Sequence, residues 1–158
     1  MSKTTVIAVA FFFGGYSVRR STKRLVIELL QDYPNIPNRI KQREEEIKHP
    51  VVPRDDNVGG GKAQFKPGSP VENVVLTLND DYRLKRLKDE YDAITYVYQQ
   101  ASEDTQIIIN ELYFKRHPTY NMEGLVMNGK ISCKATAGYN LRNKFVAEVA
   151  KQLKLDAY

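Results

Sequence analysis

Asn121-Met-Glu-Gly-Leu-Val-Met-Asn-Gly-Lys130, continued by Ile131-Ser-Cys-Lys-Ala-Thr-Ala-Gly-Tyr-Asn-Leu-Arg-Asn-Lys-Phe145, predicts two helices joined by a short turn. Asn121 has the chemistry of an N-cap, and Glu123 places a carboxylate in the first turn, where the helix dipole favours it. Met122, Leu125 and Val126 form an inner face, and Gly129 supplies the left-handed residue that commonly stops a helix. The second helix starts after Lys134, near Ala135, because Lys134 inside the helix would point inward. Leu141, Phe145 and Val149 recur four apart and Leu153 continues the row, which makes this the buried side. Gly138 falls on the same side. It costs about 1 kcal/mol of helix propensity against Ala but lets the preceding helix cross closely. The outline is that of a helix-turn-helix over about residues 121–153, whose second helix can enter the major groove of DNA.

The opposite side of the second helix carries Thr136, Tyr139, Asn140, Asn143 and Lys144, with Lys151 further on. These are the candidate groove contacts. Asn can pair twice with the adenine edge and Thr can offer its methyl to thymine. Tyr can bond a phosphate or stack, whereas Lys supplies mainly phosphate affinity. Arg142 lies on the flank, for a phosphate or for pairing within the protein, and Lys134, just ahead of the helix, joins the set. Charge placement agrees. From Lys115 onward there are eight basic and three acidic residues, a surplus equal to the net +5 of the whole chain. Such a surplus suits phosphate contacts, because each neutralised phosphate releases bound counterions.

Upstream, Ser21 to Leu30 has the apolar density of a helix, with a break expected at Tyr33-Pro34 because Pro disfavours the helical region for the residue before it. A helix resumes from Ile36 to Lys48, with Ile36, Ile40 and Ile47 on a narrow apolar face. Tyr82 to Gln100 is the clearest helix of the chain. Leu84, Leu87, Tyr91, Ile94 and Tyr98 form one stripe, which reads as core packing against the terminal domain. Asp80 or Asp81 caps it, and Val71 to Leu78 can form a short helix ahead of it. Thr105 to Arg116 forms another helix, ended by Pro118.

The expected fold is therefore mostly α, a helical bundle with a C-terminal helix-turn-helix. The expected organisation is an apolar N-terminal arm of unknown role over residues 1–20 and a helical N-terminal region over 21–48. A Pro/Gly linker over 49–70 and a helical DNA-binding domain over 71–158 follow. The arm contains Val6-Ile-Ala-Val-Ala-Phe-Phe-Phe13, too short to span a bilayer, so no membrane association is expected. A buried strand or apolar arm, a secretory signal, and natural translation from a later start such as Val18 all stay open for it.

Composition narrows the chemistry further. One thiol, Cys133, excludes an internal disulfide and fits a reducing cytosol, and with the distant His49 and His117 it gives no metal spacing. Gly59-Gly60-Gly61-Lys62 invites a phosphate loop, but Ala63 follows the Lys and Asp56 stands where the first Gly is required. Asp80-Asp81 and Glu44-Glu45-Glu46 read as a cap and a solvated helix face, so no catalytic residue, metal or cofactor is expected and the chain is not read as an enzyme.

A set of short strings in fixed order resembles a known family. These are Asp32-Tyr-Pro34, Arg43-Glu-Glu-Glu46, Asn57-Val-Gly-Gly-Gly-Lys62, Asp81-Tyr-Arg-Leu-Lys-Arg-Leu87, Ile109-Asn-Glu-Leu-Tyr-Phe114 and Tyr139-Asn-Leu-Arg-Asn-Lys-Phe145. Over roughly residues 25 to 155 the chain is similar to the RinA-like transcriptional activators of phages of Gram-positive bacteria, which control late genes. The resemblance implies a protein of the bacterial host cytosol that binds double-stranded DNA at a phage promoter. It also implies a C-terminal fold similar to sigma-factor region four, and contact with host RNA polymerase. Two other readings stay open on the residues alone. One is a DNA-packaging adaptor like a small terminase subunit, which would form a homo-oligomer; the other is a helical protein-interaction module whose basic end meets an acidic partner.

Overall fold

The computed structural model describes residues 18–49, 77–78 and 80–155, and the described residues form helices and connections with no strand. The expected mostly-α bundle is what the chain adopts. Residues 1–17, most of the Pro/Gly linker and most of the short helix expected over 71–78 lie outside the described residues.

Helix α1 (Arg20–Asp32) runs into a 3-10 turn (Tyr33–Asn35) and then into α2 (Ile36–Lys48). The break expected at Pro34 is milder than the dipeptide suggests, because Tyr33 keeps helical angles, φ −48° and ψ −44°. Tertiary packing accounts for this. The Tyr33 ring stacks on Tyr91 at 5.2 Å and on Phe114 at 4.6 Å, and its hydroxyl shares a 2.9 Å hydrogen bond with Thr95. Stacked rings contribute about 0.5–1.5 kcal/mol beyond their burial, enough to hold one residue against a local preference. The chain therefore changes direction without losing its helical backbone.

Helix α3 (Tyr82–Gln100) starts at Asp81, the one of the two candidate carboxylates that caps it, accepting from the Leu84 N–H at 2.6 Å. The same carboxylate receives a fork from Arg43 of α2, at 2.7 Å through Nη2 and 3.4 Å through Nε. Lys88 of α3 pairs with Glu44 of α2 at 2.8 Å, so charged side chains pin the two helices at two points. The stripe expected on α3 lies on its covered side. Leu84 and Ile94 are buried and Leu87, Tyr91 and Tyr98 half-buried, but Val97 is buried too because the helix is covered over a wider arc.

Helix α4 (Glu103–Ile109) continues into a π-helical turn (Asn110–Phe114) closed by the Lys115 N–H on the Asn110 carbonyl. The backbone turns extended at Lys115, so this element ends ahead of Arg116 and without help from Pro118. The wider turn buries Tyr113 while Phe114 reaches the Tyr33 stack. Helices α5 (Met122–Met127) and α6 (Ala135–Gln152) complete the bundle.

Two apolar clusters hold these elements. The larger joins Val26 and Leu30 of α1, Ile94 and Val97 of α3, Ile109 and Tyr113, and Phe145, Val146, Val149 and Ala150 of α6. The smaller joins Ile108, Met122, Leu125 and Ile131 beneath the start of α6. Helix α6 thus has one side in both clusters, and its outer side is left to solvent over the first three turns.

Candidate nucleic-acid interface

The geometry of this end begins at α5. Asn121 caps it, its side-chain oxygen accepting from the Gly124 N–H at 2.8 Å, and Gly129 leaves it with φ +62°. Lys134 occupies the cap position of α6 in extended conformation, so the helix starts at Ala135 as its inward-pointing register requires. No side chain caps this helix. Its entry is instead held from below by Asp104 of α4, whose carboxylate accepts from the Ser132 N–H at 3.0 Å. Burial, with Asp104 close by, pushes the Cys133 thiol above its ordinary value, and the residue stays a neutral packing group.

Gly138 is buried at the crossing of α5 and α6. A Cβ built there would stand 2.6 Å from the Met122 sulfur and 3.5 Å from Ile108 Cδ1. The absence of a side chain therefore sets how near α5 lies to α6, and so the angle at which α6 faces outward.

On the outer side Thr136, Asn140, Asn143 and Lys144 are exposed, with Lys134 at the head of the helix and Lys151 near its end. Tyr139 is 37% exposed and already engaged. Its hydroxyl donates to Glu123 Oε1 at 3.0 Å, which raises the phenol's pKa, and the Arg142 guanidinium lies 5.4 Å from its ring centroid. Lys151 has a longer contact of 3.8 Å to Glu148. Thr136, Asn140 and Lys144 therefore share an exposed strip. Tyr139, Arg142 and Asn143 form a more ordered group at its edge.

That edge contains a residue that no spacing in the sequence selects. Lys23 of α1 donates to Asn143 Oδ1 at 2.9 Å, and Arg142 Nη2 donates to the same oxygen at 3.1 Å. Lys23 lies 120 positions from Asn143, and no periodicity links them; only the packing of Val26 and Leu30 against α6 brings α1 alongside. Burial, and after it the Arg142 charge, lowers the Lys23 pKa from its ordinary value.

The family description "Protein of unknown function (DUF722)" matches residues 22–151, from the first turn of α1 to the last turn of α6. The chain belongs to this family. The match spans all the described helices apart from the outer ends of α1 and α6. The transcriptional activator rinA of Staphylococcus phage phi11 is similar to this DUF722 protein. It is 25% identical over 140 residues, which cover 87% of this chain and 94% of that one. This bears out the RinA-like resemblance drawn from the short strings. No solved structure matches the chain at a significant level. Among the described residues no helix is long and apolar enough to cross a membrane.

Proposed function

We propose that this DUF722 protein is a sequence-specific DNA-binding regulator of transcription, an activator of phage late genes that works in the bacterial cytosol with the host's RNA polymerase. The observation that carries the reading is the exposed strip of Thr136, Asn140 and Lys144 on a helix whose inner side is fixed by the Gly138 crossing. Residues 121–153 then act as the helix-turn-helix. Thr136 and Asn140 read base edges, and Lys134, Lys144 and Lys151 meet phosphates, with Tyr139, Arg142 and Asn143 at the flank. The basic surplus of residues 115–158 supports phosphate binding, and the name of the phi11 relative supports activation. No catalytic group is required.

Fluorescence anisotropy across a salt series tests this. A duplex enriched from a random pool by the full chain is compared with a scrambled duplex of equal length. Tighter, salt-sensitive binding to the enriched duplex is expected. Asn140→Ala should then lose about 1–3 kcal/mol of the preference while binding scrambled DNA almost as before. Equal losses on both duplexes would remove Asn140 from base reading. Equal weak binding by the unaltered chain, together with ring-sized particles in sedimentation, would turn the assignment to a packaging adaptor.

A further inference from the structure

We propose that Lys23, Arg142 and Asn143 form a seat for one backbone phosphate of DNA at the seam between α1 and α6, so that α1 clamps the duplex beside the helix-turn-helix. The inference rests on the DNA-binding reading and adds to it a contact from outside residues 121–153.

Folding brings two cations from distant parts of the chain to a single neutral acceptor. Lys23 Nζ and Arg142 Nη2 both donate to Asn143 Oδ1, at 2.9 and 3.1 Å. Ten ion pairs occur among the described residues, and none of them involves either cation. An amide oxygen satisfies hydrogen bonds but offsets no charge. Two like charges are thus left close together, and the Arg142 charge adds to burial, the larger cause, in lowering the Lys23 pKa.

The guanidinium is also held in place. The Tyr139 ring lies 5.4 Å away, the Tyr113 phenol interacts with it, and its Nε is buried with no hydrogen-bond partner among the described residues. Such fixing removes most of the side-chain entropy that binding would otherwise have to overcome. A phosphate diester supplies what Asn143 lacks, namely a negative charge together with acceptor oxygens for an ammonium and a guanidinium at once. A purely structural role for the Lys23 hydrogen bond, docking α1 on α6, explains the geometry but leaves the charge uncompensated.

The two accounts agree on Asn143→Asp and part on Lys23→Gln. An aspartate would pair with both cations, so either account expects thermal stability to hold or rise. Its carboxylate would also stand among the candidate DNA contacts and repel phosphates on either account, so the variant reports on the fold and the DNA test rests on Lys23. Lys23→Gln gives the quantitative test with the full chain and the same two duplexes. Loss of one phosphate contact lowers the log–log salt slope by about 0.9, so the affinity ratio of wild type to variant should shrink about threefold to fourfold between roughly 50 and 200 mM salt. Lys23→Arg should keep the wild-type slope, which separates loss of charge from loss of fold. A Lys23→Gln slope equal to wild type would overturn the seat while leaving the DNA-binding reading intact. Failure of the unaltered chain to bind either duplex would overturn both.

Discussion

Gly138→Ala is the substitution whose outcome follows most directly from the geometry. In an open helix it should stabilise by about 1 kcal/mol, the difference in propensity between the two residues. Here the new methyl would lie 2.6 Å from the Met122 sulfur, about 1 Å inside an ordinary contact distance of roughly 3.5–4.0 Å. Met122 is 2% exposed and closed in by Ile108, Leu125 and Ile131, so its side chain has little room to retreat. Overpacking of this kind costs about 1–3 kcal/mol, and the net effect should lie between neutral and a loss of about 2 kcal/mol. Met122→Ala alone should cost about 2–5 kcal/mol through the cavity it leaves. In that background the sulfur is gone, and Gly138→Ala should recover its full gain of about 1 kcal/mol. The double-mutant cycle therefore predicts a coupling of about 1–3 kcal/mol, read from urea midpoints at a common m-value. A gain of about 1 kcal/mol in both backgrounds, with no coupling, would mean that α5 does not cross α6 at Gly138, and the orientation derived for the exposed strip would fall with it.

Two further substitutions probe the elements that place this helix. Gly129→Ala has open space around the new methyl, so only the positive φ of 62° opposes it, and a loss of about 1–2 kcal/mol is expected in urea unfolding; a neutral result would show that the turn between α5 and α6 adopts another backbone. Asp81→Asn keeps an oxygen to cap α3 but removes the charge facing Arg43, whose fork, followed by the Leu84 N–H, holds the Asp81 carboxyl below the usual carboxylate range. A depressed pKa adds stability above the unfolded value, and that stability is lost as pH falls through the folded value. Wild type should therefore be the more stable protein at neutral pH, and the gap should close in acid. A gap independent of pH would assign the effect to packing.

Much of the molecule was legible in local sequence because the responsible interactions are local. The caps at Asn121 and Asp81, the stop at Gly129 and the start of α6 after Lys134 all depend on residues within about a turn of one another, or on one side of one helix, and spacing alone puts Gly138 on the inner side, though its contact with Met122 is tertiary. The outward row of Thr136, Asn140 and Lys144 was legible for the same reason, since a helix of 3.6 residues per turn assigns its faces by spacing alone. Tertiary structure decided the rest. Val146 and Ala150 are buried although they lie off the Leu141–Phe145–Val149 row, because the larger apolar cluster that takes in α1 and α3 covers an additional side of α6. Tyr33 stays helical ahead of Pro34 because two aromatic rings from other elements hold it. Tyr139 and Asn143, equivalent to Asn140 by spacing, differ from it because Glu123 engages the first and Lys23 and Arg142 the second. Periodicity ranks the sides of one helix, but which side meets which neighbour depends on how distant apolar stripes pack, and the meeting of Lys23 with Arg142 follows only once α1 has found α6.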